Sequence, residues 1–227
     1  MNTKAVIFDL DDTLISELEY ALSGYRAVSG HIASKGLCQG SPEELYRELT
    51  ELFYEDHKKV FNRFLTGKGL PDDRDRVMEL VEVYRCHTPD IAYYDDVKPV
   101  IKELKGKGLR TGILSDGYFV TQRAKIKALK AEEDFDPVIL TDELGREYWK
   151  PSPEGFRMIE EKYSILPGEI VYVGDNPEKD FYLSQTAGIK TVRIIRKGGI
   201  YADSPYFQDV REDFRIASLK DLISILT

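Results

Sequence analysis

The sequence predicts an α/β fold: a parallel sheet with helices on both faces, interrupted by an inserted all-helical segment. Three observations predict it. Short apolar runs bounded by turn residues recur at Ala5–Phe8 and at 109–114, 137–140, 170–173 and 191–195. Amphipathic stretches at 118–130, 153–163 and 179–187 separate the later runs, and strands alternating with helices build parallel sheets covered on both faces. Between about residues 15 and 94 the alternation stops and helical spacing takes over.

The first run, Ala5, Val6, Ile7 and Phe8, is apolar at successive positions rather than at alternate ones, which marks a strand buried on both faces. It ends by delivering Asp9, Asp11 and Asp12 within four positions. The helical block follows. Leu18, Ala21, Leu22, Tyr25, Val28 and Ile32 keep a helical spacing. The stretch SPEELYRELTELF opens with a capping box, Ser41 as cap, Pro42 in the first turn and Glu44 reaching back, and carries the stripe Leu45, Leu49, Leu52 and Phe53. A third helix is expected in DDRDRVMELVEVY, with Val77, Leu80, Val81 and Tyr84 inward. The expected division is a core of residues 1–15 and 95–227 and a helical insertion of 16–94. The insertion is expected at the C-terminal end of the first strand, where open α/β sheets bind ligands.

Composition narrows the function. The chain has 227 residues, 42% of them hydrophobic and 32% charged, with a formal net charge of −8, which suits a globular protein and offers no polybasic surface for nucleic acid or anionic lipid. No apolar run approaches the roughly 20 residues of a membrane helix. The first strand begins almost at once, without the apolar stretch of a signal peptide. Cys38 and Cys86 lack metal or redox spacing and read as two reduced thiols. The expectation is a cytoplasmic enzyme with neither a nucleic-acid nor a membrane partner. Oligomeric state is not legible.

The chemistry gathers at strand ends. The run 109–114 is followed by SDG (Ser115, Asp116, Gly117), the run 170–173 by GDNPEKD (Gly174 to Asp180), and WKPSPEGF puts Lys150 just ahead of a helix. In a parallel sheet all of these open on the same edge as Asp9 and Asp11. Singly, each has a plain reading: an Asp or Asn as turn former or cap, a Ser opening a turn, a solvated Lys. Together they do not. A Lys at a helix N-terminus opposes the helix dipole unless an anion lies between them. Asp9, Asp11, Asp175 and Asp180 are expected to converge, and clustered carboxylates need a cation or bound protons. An all-oxygen donor set without His or Cys suits Mg²⁺ and not Zn²⁺. With no GxxxxGK[ST] loop for a nucleoside triphosphate, a carboxylate nucleophile acting on a phosphoryl group is the remaining option.

These motifs resemble the haloacid dehalogenase superfamily, specifically the branch whose phosphatase-like members carry a helical cap inserted after the first motif. The pattern DxDx[TV] is met by Asp9, Asp11 and Thr13, the Ser at a strand end by Ser115, the Lys ahead of PxPxxF by Lys150, and GDxxxxD by Gly174, Asp175 and Asp180. The match covers residues 1–15 and about 95–200; the cap matches only in position and helical character. The resemblance implies a Rossmann-like core and an Mg²⁺-dependent phosphatase for a small phosphorylated metabolite. Asp9 is then the nucleophile, which becomes phosphorylated, and Asp11 the acid/base. Mg²⁺ is held by Asp9, Asp175 and the Asp11 carbonyl. Ser115 and the backbone N–H groups of Asp116 and Gly117 bind phosphoryl oxygens. Lys150 offsets charge on both phosphoryl group and nucleophile, and Asp180 supports Lys150 or a metal-bound water. Asp12 is expected to be a surface or turn residue.

Rival readings remain. Dehalogenases of the superfamily lack the acid/base Asp. Phosphoglucomutase-like transfer shares Asp11 and the cap, although its motif commonly reads DxDGV where this chain has DLDDT. A non-catalytic binding module would ordinarily have lost one of the four motifs. Specificity is expected from the helical block, where acidic residues outnumber basic ones and where Arg85 and His87, near the return to the core, are the candidate contacts; both are equally readable as structural hinge residues. Tyr118, Tyr148 and Trp149 form either an apolar wall or plain packing, and RKGGIYADSPYF (196–207) either a mobile rim or an exposed turn.

Overall fold

The structure, a computed structural model, describes residues 2–226. Six strands, β1 (Ala5–Phe8), β2 (Arg110–Ser115), β3 (Val138–Leu140), β4 (Ile170–Gly174), β5 (Lys190–Ile194) and β6 (Phe214–Ile216), form one all-parallel sheet in the order β3-β2-β1-β4-β5-β6. The chain therefore winds outward from β1 in one direction through β3 and resumes on the other side with β4. The reversal lies between β1 and β4, and it leaves a crevice beyond their C-terminal ends.

Each face of the sheet is buried, which is why β1 reads as an unbroken apolar run. Val6, Phe8, Ile113, Val171 and Val173 face a layer that includes α5 (Val97–Gly106), α6 (Phe119–Leu129) and α9 (Leu219–Leu226). Ala5, Ile7, Leu114, Ile170 and Tyr172 face α7 (Glu154–Tyr163) and α8 (Tyr182–Thr186). Each fully buried side chain of this size contributes roughly 1.5–3 kcal/mol relative to exposure.

The chain divides into two compact units, one running to Glu17 and resuming at Ile91, the other Leu18–Asp90. The sequence boundaries of 15/16 and 94/95 fall two to four residues from these. Within the first unit, Ile15 bridges Tyr93 in antiparallel fashion and the Tyr94 N–H donates to Leu14 O (3.0 Å). The second unit is helical: α1 (Glu17–Lys35), α2 (Pro42–Glu55), α3 (Val60–Gly67) and α4 (Arg74–Cys86) close over Tyr25, Val28, Ile32, Leu45, Leu49, Phe64 and Leu80. The capping box forms as the sequence requires: Glu44 N–H donates to Ser41 Oγ (3.3 Å) and Ser41 N–H to Glu44 Oε2 (2.8 Å).

The structure departs from the expected elements in three places. The helical unit has four helices among the described residues rather than three, since α3 is only 8 residues long and lacks a side-chain cap. Strand β6 has 3 residues, one of them exposed, and gives no apolar run. Helix α8 spans 182–186 rather than 179–187, because Asp180 turns back to accept the Asn176 N–H and belongs to the loop.

Candidate active site

At the crevice between β1 and β4, Asp9 leaves β1, and Asp175 and Asp180 lie on the loop after β4. One carboxylate oxygen from each falls within 4.8 Å of the others. All three are buried. Gly174 makes the approach possible: a Cβ there would stand 2.4 Å from Asp180 Oδ2. Lys150, from the segment ahead of α7, reaches under the cluster. Its Nζ lies 2.5 Å from Asp9 Oδ1 and 2.9 Å from Asp180 Oδ1, and it also donates to the Tyr172 hydroxyl.

The electrostatics follow from this packing. Burial opposes ionisation of Asp9, but Lys150 and Lys179 outweigh it and hold its carboxyl below the usual range. Burial also opposes the charge on Lys150, yet Asp180 and Asp9 keep it protonated more firmly than a free lysine. Asp175 gains too little from Lys179 to offset its surroundings. Burial, then Asp180 and Asp9, push its carboxyl well up, and among the described residues no donor reaches it. A buried carboxylate without a donor, next to two others, is a site short of positive charge, and its donors are all hard oxygens. These residues fit a divalent cation of the Mg²⁺ type.

The family model described as haloacid dehalogenase-like hydrolase matches residues 3–182, and a second, HAD-hydrolase-like, matches 148–222. The chain belongs to the haloacid dehalogenase-like hydrolases. It is 34% identical to a glyceraldehyde 3-phosphate phosphatase of Methanopyrus kandleri over 98% of this chain and 97% of that one. It is 27% identical to a pyrophosphatase PpaX of Bacillus mycoides, over 100% and 98%. Among solved structures it resembles a HAD phosphatase from Thermococcus onnurineus, at TM-score 0.61 and 26% identity, covering 99% of this chain and 98% of that one. The protein is thus a phosphatase-like hydrolase of the haloacid dehalogenase family.

Within that family frame the motif residues take these places. Ser115, the last residue of β2, is buried, and its Oγ accepts from Gln122 Nε2 (2.7 Å). Gly117 has φ +129°, a conformation that favours glycine, and a Cβ there would lie 3.1 Å from the Gln122 side chain. The Asp116 carboxylate turns inward, accepting from Thr141 Oγ1 (2.7 Å) and the Lys150 N–H (3.2 Å), with Lys179 Nζ 3.6 Å from its other oxygen. Thr13 is buried; its carbonyl accepts from Arg196 (2.8 Å), and its hydroxyl has no hydrogen-bond partner among the described residues.

One expectation is corrected and another narrowed. The four carboxylates do not all converge: Asp9, Asp175 and Asp180 form the cluster, whereas the Asp11 carboxylate is taken by α6, Lys125 Nζ at 2.7 Å from Oδ1 and Gln122 Nε2 at 2.8 Å from Oδ2. Asp12 is a turn residue, with φ +46°, but not a surface one. It is 2% exposed and accepts from the Glu17 N–H (2.9 Å) and the Ile200 N–H (3.0 Å). The segment 196–207 is correspondingly tied down. Arg193 donates to Tyr201 O and Ala202 O, and Arg196 forms a two-pronged pair with Asp96 (2.8 and 2.9 Å).

In the helical unit, His87 is the C-cap of α4, and its ring nitrogens lie 2.6 Å from Tyr84 O and 3.0 Å from Ser23 Oγ. The imidazole is engaged on both sides, while Arg85 is half-buried two residues earlier in the last turn of the same helix. Tyr118 and Trp149 pack edge to face (6.4 Å), with Arg146 over both rings. Gln122, Lys125, Lys179 and Tyr172 escape the sequence reading. Their one available signal is a polar residue on the inward face of an amphipathic helix, as at Gln122 and Lys125.

Proposed function

We propose that this protein is a Mg²⁺-dependent phosphatase that hydrolyses a small phosphomonoester through a phosphorylated Asp9. The observation that carries the reading is the pairing of a buried, ionised Asp9 with Lys150, next to a donor-poor Asp175. In the first step Asp9 attacks phosphorus and the P–O bond to the leaving group breaks. Asp11 gives its proton to the departing alkoxide. In the second, Asp11 accepts a proton from water as that water attacks phosphorus, the P–O bond to Asp9 breaks, and phosphate leaves. Ser115 Oγ and the N–H groups of Asp116 and Gly117 hold phosphoryl oxygens, and Lys150 offsets negative charge on Asp9 and the transferring group. Asp9, Asp175 and the Asp11 carbonyl would hold Mg²⁺, which when bound neutralises the carboxylates and polarises the phosphoryl group.

Substrate selection is assigned to the helical unit, with Arg85 and His87 as the residues to test. The Methanopyrus relative makes a triose phosphate the first substrate to try, and the Bacillus relative makes pyrophosphate the second. The test is phosphate release by the purified protein from glyceraldehyde 3-phosphate, sugar phosphates, phosphoglycolate, nucleotides and pyrophosphate, with Mg²⁺ and with excess EDTA. Release that depends on Mg²⁺ and stops with chelator is expected; full turnover in EDTA overturns the metal assignment. Isomerised phosphate ester without free phosphate would make the enzyme a mutase.

A further inference from the structure

Asp11 does not hang free beside the carboxylate cluster. Two residues one turn apart on α6, and therefore on one helix face, grip it from the side: Lys125 on Oδ1 (2.7 Å) and Gln122 on Oδ2 (2.8 Å). Both are buried, Gln122 to 1% and Lys125 to 3% exposure. The same Gln122 amide nitrogen donates to Ser115 Oγ at 2.7 Å. A single side chain thus spans the loop after β1 and the end of β2.

We infer that Gln122 and Lys125 are positioning residues that fix the direction of the Asp11 carboxyl group toward the leaving group, and that Gln122 keeps this direction in register with Ser115. The inference rests on the acid/base role of Asp11 proposed above. Each carboxyl oxygen has two lone-pair sites, so one donor on each leaves a site on each for the transferred proton. The fold itself does not require this pair. A buried ion pair is commonly replaceable as a whole by apolar side chains of similar volume without loss of stability, so packing alone calls for neither charge. Removing Lys125 by itself leaves Asp11 without its paired cation and is expected to cost stability too, which the comparison of two esters on one variant cancels. A lysine there makes sense if its partner must be aimed.

A direction fixed for proton transfer has a signature that a merely structural role lacks. An alkyl phosphate expels an alkoxide and needs the proton; 4-nitrophenyl phosphate expels a stabilised phenolate and needs it little. The ratio kcat/KM reports the step in which the leaving group departs, so the two esters are compared on that ratio, with the alkyl phosphate that the enzyme turns over fastest in the panel above. Lys125→Met is expected to lose about 10²-fold on the alkyl ester, the lower end of what a positioned acid supplies, and about tenfold less than that on the aryl ester. Gln122→Met, which also touches Ser115, is expected to slow both esters but the alkyl one more. Asp11→Asn serves as reference. If it shows the split and the two variants do not, through equal losses on both esters or no loss on either, the clamp is overturned alone. If Asp11→Asn itself shows no split, its acid role is overturned and the clamp falls with it.

Discussion

Glu17 offers a pH-dependent test of how the carboxylates near the crevice are accommodated. Its N–H is held by Asp12, and burial, then Asp11, raise its carboxyl from 4.5 to about 7, with Lys125 acting against them, Asp12 adding to the rise and Lys179 opposing it. A raised carboxyl pKa means that the folded protein prefers the neutral acid. The fold therefore carries no penalty below pH 4.5, loses stability as pH climbs from 4.5 through 7, and carries the full penalty above. At 1.36 kcal/mol per unit, a rise from 4.5 to about 7 corresponds to about 3 kcal/mol. Glu17→Gln removes the ionisable group. The variant should match wild type near pH 4 and exceed it by about 3 kcal/mol at pH 8.5, which for a chain of this size is roughly 6–12 °C in Tm. Thermal unfolding followed by circular dichroism across this pH range, in EDTA so that no divalent cation offsets the charge, gives the difference curve directly. A constant difference at every pH, or a wild type more stable than the variant at high pH, would refute the reasoning.

Lys150→Met should abolish turnover and also destabilise the fold by about 3–5 kcal/mol at neutral pH, because the buried Asp9 and Asp180 lose the cation paired with both; urea unfolding at pH 7 and pH 4 should show the deficit shrinking as the carboxylates protonate. Arg196→Ala should cost a similar amount, since it strips the buried Asp96 of both its prongs and leaves Thr13 O without its donor. Arg196, the Leu219 N–H and Ser218 together overcome burial and hold the Asp96 carboxyl below 3.8, so the stability it supplies is present above that pH and fades below it. Asp96→Asn should therefore flatten the acid limb of the stability curve, and an unchanged limb would count against this pairing.

The sheet was legible because β1, β3 and β4 carry unbroken apolar runs, the mark of burial on both faces, and β2 and β5 keep shorter apolar stretches between polar residues. β6 was not, because three residues with one exposed leave no run to detect. The motif residues were legible for a topological reason: in a parallel sheet, strand ends open on one edge, so Asp9, Ser115 and Asp175 had to meet there. What the sequence concealed is how charge is distributed among them. Nothing in DLDDT says that Asp11 turns to α6 while Asp12 is buried as a brace for residues 17 and 200. Those fates depend on Lys125 and Ile200, 114 and 188 residues away along the chain. Lys125 itself looks like any lysine on an amphipathic helix until the face it occupies is known.

Phosphorylation of Asp9 is the central claim, and it can be measured directly. The purified enzyme, turning over its preferred phosphate ester with Mg²⁺, is quenched in acid, digested and read by mass spectrometry. The predicted result is a phosphoryl group on Asp9 in the peptide containing KAVIFDLDDTL, and neither adduct nor turnover in Asp9→Asn. A phosphoryl group on another residue, or turnover by Asp9→Asn at the wild-type rate, would contradict it.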